Sequence, residues 1–444
     1  MWTVNSESGR LRYVLVHSAS LSHWWKIPIP GTHPLSGYSN IKQTYPYEDA
    51  IDEHRKIIDF LTEEGVKVYE LNNVLSQIIE KSSTAERQEI IKEVWGEGET
   101  KPSPDTLTAE HIVYGYPPKP FYDEAKEEFT VSSNQRSSIY SRDISFGTPV
   151  GHVLSKMRYH GRQEQPKVAK IAYQRHSELS RHVEVLYDVN DVESEIDFSP
   201  AWIEGGDVII ADEETILCGV GQRSNLLGFK YTMEQVIKRD ADEKIKNFCA
   251  VRIPGPLPCG GHLDVFINFP DERKALVMPY VLESDLIPGF PERNLLTKLS
   301  EKLTTLAGLK RATVRHANFK ESGMCDVYRR SKDDRLVKVS REKNLLDWLI
   351  QEDKIDADGV VMAGGEPEGG NDVDHLITAM QEGLREAANI VTIKPGLIVA
   401  YDRNVATNSN LEAHGVQVRR LPSGHLDMLG GPHCMTMPLQ RDSH

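Results

Sequence analysis

The chain has 444 residues with 52 basic against 66 acidic side chains, a formal net charge of −14, and is 39% hydrophobic and 27% charged. That balance describes a globular protein, and it excludes general attraction to phosphate backbones or anionic lipid, which repel a protein of the same sign. The length allows one large domain or two to three smaller ones, enough to enclose a site. The first residues show no basic head followed by an apolar run, and no stretch approaches the ~18 consecutive apolar residues that span a bilayer. The cytoplasm is therefore the expected location. Five cysteines without a CxxC or regular spacing argue against a disulfide framework or zinc site.

In chain order, Leu11 to Val16 reads as a buried strand, and Ala50, His54, Ile57 and Leu61 recur at helical spacing until Gly65. Val66 to Glu70 then alternates as a second strand, so the chain opens as α/β. From about 71 to 130 the texture turns helical. Ser83 and Glu86 have the capping-box spacing, Ile90, Ile91, Val94 and Trp95 follow, and Thr108 to Tyr114 reads as a short helix. This predicts a helical insertion at 71–130 in an α/β domain formed by 1–70 and 131–444. Strand-like runs return at Asp207–Ala211, Thr215–Val220, Val265–Phe269, Ala275–Met278, Ile390–Ile393, Leu397–Tyr401 and Val416–Val418. Asp285–Lys343 reads as a charged surface excursion and Gly364–Asn371 as a loop.

Four segments could carry chemistry. Gly430-Gly431-Pro432-His433-Cys434 ends a small-residue turn on a cysteine, which is either a buried core thiol or a nucleophile with a base nearby. In Gly261-His262-Leu263-Asp264, a strand would place the imidazole and the carboxylate on one face; a turn with a satisfied histidine is the plainer alternative. Glu204-Gly205-Gly206-Asp207 sets two carboxylates around a double glycine before a strand, and Tyr140-Ser141-Arg142-Asp143 has no chemical meaning alone. HExxH, GxxxxGK[ST] and GxSxG are absent.

Together, and in this order, the segments resemble the arginine deiminases, a branch of the guanidine-modifying enzymes that includes the amidinotransferases. The resemblance runs nearly end to end, through SESGRLRYVLVHS, DEHRKIIDFL, YSRD, EGGD, HLD, AYDRN and GGPHCMTMP. It implies an α/β propeller (pentein) of five pseudo-symmetric units with a helical insertion. It further implies Cys434 as nucleophile, His262 as general acid/base, Glu204 holding the imidazole, and Asp143 and Asp264 gripping the guanidinium. Arg162 and Arg223 fall where the family meets the substrate α-carboxylate. Two positions depart from the family pattern: Ser137 replaces a usual asparagine and Tyr140 a phenylalanine. The loop before the nucleophile reads Leu426-Asp427-Met428-Leu429 in place of an arginine- and glycine-rich stretch.

The chemistry is coherent without the resemblance. Two carboxylates can hold a planar guanidinium in bidentate pairs and aim its carbon at sulfur, and a histidine can then serve the leaving amine and the attacking water. The expected reaction is Cys-dependent hydrolysis of a guanidino compound, L-arginine to L-citrulline and ammonia, through a covalent thiouronium. Amidino transfer to an amine and non-catalytic guanidino binding are the alternatives. No metal or cofactor is called for. The expected partner is a small guanidino molecule, with neither nucleic acid nor membrane, and a homo-oligomer is compatible with the family.

Overall fold

A computed structural model describes residues 1–18, 47–96, 101–117, 121–130, 139–188, 201–254, 261–292, 295–299, 302, 321–367, 372–424 and 430–443. The strands in chain order are β1 (Leu11–Val16), β2 (Lys67–Glu70), β3 (Phe121–Asp123), β4 (Glu128–Thr130), β5 (Ser145–Thr148), β6 (Gly151–Leu154), β7 (Val185–Asp188), β8 (Val208–Asp212), β9 (Thr215–Val220) and β10 (Asn247–Arg252). They continue as β11 (Ile267–Asp271), β12 (Lys274–Val277), β13 (Cys325–Arg330), β14 (Leu336–Glu342), β15 (Val360–Met362), β16 (Val391–Lys394), β17 (Leu397–Tyr401), β18 (Gln417–Leu421) and β19 (Thr436–Arg441).

One pairing pattern repeats through this mixed α/β chain. β5 runs antiparallel to β6, which is parallel to β7. The same antiparallel then parallel order recurs in β8-β9-β10, β11-β12-β15, β16-β17-β18 and β19-β1-β2. A hairpin can close the antiparallel step, whereas the parallel step needs a crossover. Helices fill crossovers: Tyr47–Glu63 lies between β1 and β2, Gln165–Arg175 between β6 and β7, Leu226–Arg239 between β9 and β10, and Val405–Ala413 between β17 and β18. The last unit joins the two ends of the chain, because β19 pairs with β1.

Local physics explains the first unit. Ala50, Ile57 and Leu61 bury one face of the helix Tyr47–Glu63. Gly65, at φ 80°, then takes the left-handed conformation that lets the Gly65 and Val66 amides return to the Thr62 and Leu61 carbonyls. In the 71–130 region the helices Leu71–Lys81, Thr84–Trp95 and Ala109–Tyr114 form, with reciprocal capping boxes at Ser83/Glu86 and Thr108/His111. Their apolar faces, including Leu75, Ile90, Val94 and Ile112, pack in one cluster with Leu15, Leu154, Val168 and Met437. The region is not helical throughout, since β3 and β4 form a two-stranded hairpin within it.

Two readings of the sequence need correction. Asp285–Lys343 is not simply a surface excursion: β13 pairs with β10 and β14 with β13, extending that unit's sheet to five strands in the order β14-β13-β10-β9-β8. Lys338, Arg341 and Glu342 on the exposed β14, with Arg329 and Arg330 at the end of β13, give these strands a charged face, while Cys325 and Val327 are buried; residues 293–294, 300–301 and 303–320 of the segment lie outside the described residues. The expected strand Val265–Phe269 begins later, at Ile267, because Leu263–Val265 is a 3-10 turn. Part of Gly364–Asn371 lies outside the described residues.

Candidate active site

The site is built from equivalent places in the repeated units. In each, the segment that leads into the first strand contributes polar groups. Asp143 lies in the turn Ser141–Ile144 before β5, and Glu204 caps the 3-10 turn Gly205–Asp207 before β8. His262 and Asp264 flank Leu263 before β11, Asn389 precedes β16, and Cys434 precedes β19. His262 and Asp264 therefore do not share a strand face: His262 is the residue ahead of a 3-10 turn and Asp264 is within it. Strand alternation misplaced them because the turn, not a ladder, sets their directions.

Cys434 is 7% exposed. Its Sγ lies 3.6 Å from Asp264 Oδ2, and the Asn389 amide donates to that Sγ at 3.2 Å. The Cys434 backbone N–H donates to Asn389 Oδ1 at 3.1 Å, so one asparagine holds both the backbone and the sulfur. Arg142 N–H donates to the Cys434 carbonyl at 3.1 Å, tying the Asp143 turn to the cysteine turn. Gly431 permits this approach, since a Cβ there would stand 2.3 Å from Asn389 Oδ1.

His262 Nε2 is 2.9 Å from Glu204 Oε2, and its Nδ1 is 3.7 Å from Asp143 Oδ1. Gly206 leaves room for the ring; a Cβ at that position would lie 2.7 Å from His262 Nδ1. Asp207 bridges the two turns, accepting from Ser224 Oγ at 2.5 Å and from the Leu263 N–H at 3.0 Å. Arg162 and Arg223 close on the same carboxylates. Arg162 Nη2 is 2.9 Å from Asp143 Oδ2, and Arg223 Nη1 donates to Glu204 Oε2 at 3.1 Å. Tyr140 is adjacent, with its ring edge facing Gly430. Ser137 and Leu426–Leu429 lie outside the described residues.

Burial and charge decide the protonation states. Burial opposes ionisation of Glu204, but the His262 hydrogen bond and the charges of His262, Arg223 and Arg162 outweigh it and hold the group at about 2. Burial likewise disfavours the His262 cation, yet Asp143, Glu204 and Asp207 raise it to about 9. Burial pushes the Cys434 thiol up, and Asp264, Asp143 and Glu386 push it further. Burial works against the Asp264 carboxylate, but His433 keeps it below its ordinary value. These shifts favour an imidazolium at His262, carboxylates at Glu204 and Asp264, and a thiol at Cys434.

Behind it lies a support that the sequence reading did not single out. His433 bridges Asp264 Oδ2 at 2.8 Å and Glu7 Oε1 at 2.9 Å. Arg142 reaches the same Glu7 oxygen at 3.0 Å and the Thr436 carbonyl at 2.9 Å. Glu7, Arg142, His433 and Thr436 lie inside the motifs SESGRLRYVLVHS, YSRD and GGPHCMTMP, the one signal the sequence carries for them. Asn389 and Glu386 had none beyond their place ahead of a strand-like run.

Fold and site together define a mixed α/β protein with a buried cysteine, histidine and carboxylates gathered at the entries to its repeated sheets. The arginine deiminase family model matches residues 42–135 and 123–441. The chain belongs to the arginine deiminase family and is an arginine deiminase-like hydrolase, of the kind that acts on C–N bonds of amidines. It is 25% identical to an arginine deiminase of Metamycoplasma hominis over 99% of this chain and 96% of that one. It is also 25% identical to one of Bacillus thuringiensis subsp. konkukian (strain 97-27), over 80% of this chain and 72% of the relative. Among solved structures, a cysteine-to-alanine mutant of AgrE in a binary complex with L-arginine matches with a TM-score of 0.50 and 11% identity. That match covers 98% of this chain but 41% of the AgrE chain, so this protein spans about two-fifths of that longer molecule.

Proposed function

We propose that the protein hydrolyses a guanidino compound, with L-arginine giving L-citrulline and ammonia, and that Cys434 is the nucleophile. One observation carries this reading. Asp143 Oδ1 and Asp264 Oδ1 are buried oxygens without a hydrogen-bond partner among the described residues, on the two carboxylates that flank the cysteine and the imidazole. Leaving buried acceptors unmet is costly, and a planar cation with several N–H donors would satisfy both at once.

The steps follow from the protonation states. A bound guanidinium offsets the carboxylates that keep Cys434 protonated, so the thiol loses its proton to solvent and the thiolate adds to the guanidinium carbon. His262, already an imidazolium, gives its proton to the departing nitrogen, and ammonia leaves a cationic thiouronium on sulfur. The now neutral His262 takes a proton from water, whose oxygen adds to the same carbon. Collapse breaks the C–S bond and releases the ureido product, and the spare proton leaves on ammonia as ammonium. Glu204 fixes the ring throughout. Arg162 and Arg223, now closed on the site carboxylates, exchange those partners for the substrate's own carboxylate.

The repeated sheets support a reading of the fold as a five-unit propeller around this site, with 71–130 as an insertion in it. A soluble cytoplasmic enzyme accords with the acidic composition; no helix among the described residues is long and apolar enough to cross a membrane. The test is incubation with guanidino-labelled arginine. Labelled citrulline formed without any added amine is expected. Ornithine released only when an amine is supplied would mean amidino transfer, and the absence of both products from a folded sample would refute the reaction.

A further inference from the structure

Glu386 belongs to none of the roles above, yet its position matches theirs. It lies in the segment leading into β16, three residues before the Asn389 that holds Cys434, just as Asp143, Glu204 and Asp264 lie in the segments leading into β5, β8 and β11. Its carbonyl accepts the Asn389 N–H at 3.0 Å, and its own N–H donates to the Gly383 carbonyl at 3.0 Å, so the turn is fixed by the backbone. It adopts φ 60°, the left-handed region that a residue with a Cβ seldom takes.

The side chain is 9% exposed, and its Oε2 is buried without a hydrogen-bond partner. The groups whose charges it feels are those of the site: Asp264, His262 and Asp143, with Cys434 and Tyr140 feeling it in turn. Three carboxyl oxygens are therefore buried and without a hydrogen-bond partner among the described residues: Asp143 Oδ1, Asp264 Oδ1 and Glu386 Oε2. A guanidinium offers more N–H donors than two carboxylates consume.

We propose that Glu386 is a specificity-determining residue, a third carboxyl group that meets the bound guanidinium and sets the preference for this cation over the neutral ureido product. The inference rests on the guanidino reading of the same site. Burial, then the charge of Asp264, pushes the free Glu386 well above the usual carboxylate range, and an arriving cation favours its ionised form. A ureido group brings no charge and no such gain, which distinguishes product from substrate at the same atoms.

The experiment compares wild type with Glu386→Gln, which keeps the side chain's size but cannot ionise. Expected are a KM for arginine raised about 10-fold or more, kcat within about 3-fold, and citrulline inhibition within about 2-fold of wild type, as a lost charge-assisted contact implies. A KM unchanged from wild type, or arginine and citrulline weakened by the same factor, overturns the proposal. Calorimetric binding of arginine to Cys434→Ala and to Cys434→Ala/Glu386→Gln repeats the comparison without turnover. Glu386→Asp is the variant to use if the glutamine protein does not fold. If wild type neither turns over nor Cys434→Ala binds any guanidino compound, the proposed function itself fails. Equal binding of arginine by both calorimetric variants would sink the Glu386 role alone.

Discussion

Replacing Glu204 by glutamine is the sharpest probe of the acid/base assignment, because it removes one charge while keeping the side chain's shape. Glu204 meets His262 Nε2 at 2.9 Å, and the hydrogen bond and charge of Glu204 are among the causes that raise the imidazole to about 9 against its burial. A hydrogen bond to a charged group contributes about 1.5 to 3 kcal/mol, or about one to two pH units of proton affinity. Asp143 and Asp207 remain in the variant, so the imidazole should fall only part of the way towards its ordinary 6.5. A general acid acts in its protonated form, so activity declines as pH rises through the His262 value. The alkaline limb of the kcat profile should therefore move about one to two pH units towards neutrality in Glu204→Gln. NMR titration of the His262 ring in a Cys434→Ala background reads the same change directly. The linkage has a definite sign: a raised histidine stabilises the fold fully below about 6.5 and loses that contribution as pH climbs through about 9, so the variant should lose stability chiefly at neutral and lower pH. An alkaline limb and a ring titration both unchanged in the variant would refute the coupling on which the mechanism depends.

Cys434→Ala should abolish turnover by at least about 10³-fold while retaining arginine binding, because it removes the covalent intermediate and leaves the carboxylates; retained turnover in a steady-state assay would reject the nucleophile. Gly206→Ala places a Cβ 2.7 Å from His262 Nδ1 and 3.1 Å from Asp143 Oδ1, so the ring must shift. A kcat drop of about 10²-fold with an unchanged circular dichroism spectrum is expected, given how steeply rate depends on alignment. Glu7→Gln leaves Arg142, His433 and Arg441 facing a neutral group at 3.0, 2.9 and 3.8 Å. Urea titration should show a loss of about 3 to 5 kcal/mol, the usual cost of breaking a buried ion pair from one side. Burial opposes the Glu7 charge, but Arg142 and His433 hold the carboxyl well below 4.5. Its stabilisation is therefore present above about 4.5 and lost as pH falls, and the variant's stability should vary less with acidification.

Legibility differed with the kind of residue. Thr215–Val220 and Leu397–Tyr401 were readable to the residue because continuous apolar runs bounded by turn residues leave a buried strand few alternatives. The Ser83 capping box was equally plain, being a purely local exchange of hydrogen bonds. β13 was hidden, since Asp326 and the neighbouring arginines mask a strand whose partner, β10, lies more than seventy positions earlier. The candidate site residues stood out only as a set of motifs, and Glu386 and Asn389 did not stand out at all.

Local sequence was enough for strands such as Thr215–Val220 and Leu397–Tyr401, for the Ser83 cap, and for marking the short segments that carry Cys434, Glu204 and His262. Those properties depend on neighbours a few positions apart. The tertiary structure alone decided that the turns before β5, β8, β11, β16 and β19 converge, that Asn389 holds the Cys434 sulfur, and that Glu7 at one end of the chain braces His433 near the other. Convergence rests on sheets closing between distant segments, β19 on β1 above all. The resulting protonation states follow from burial and charge, which exist only once those segments meet.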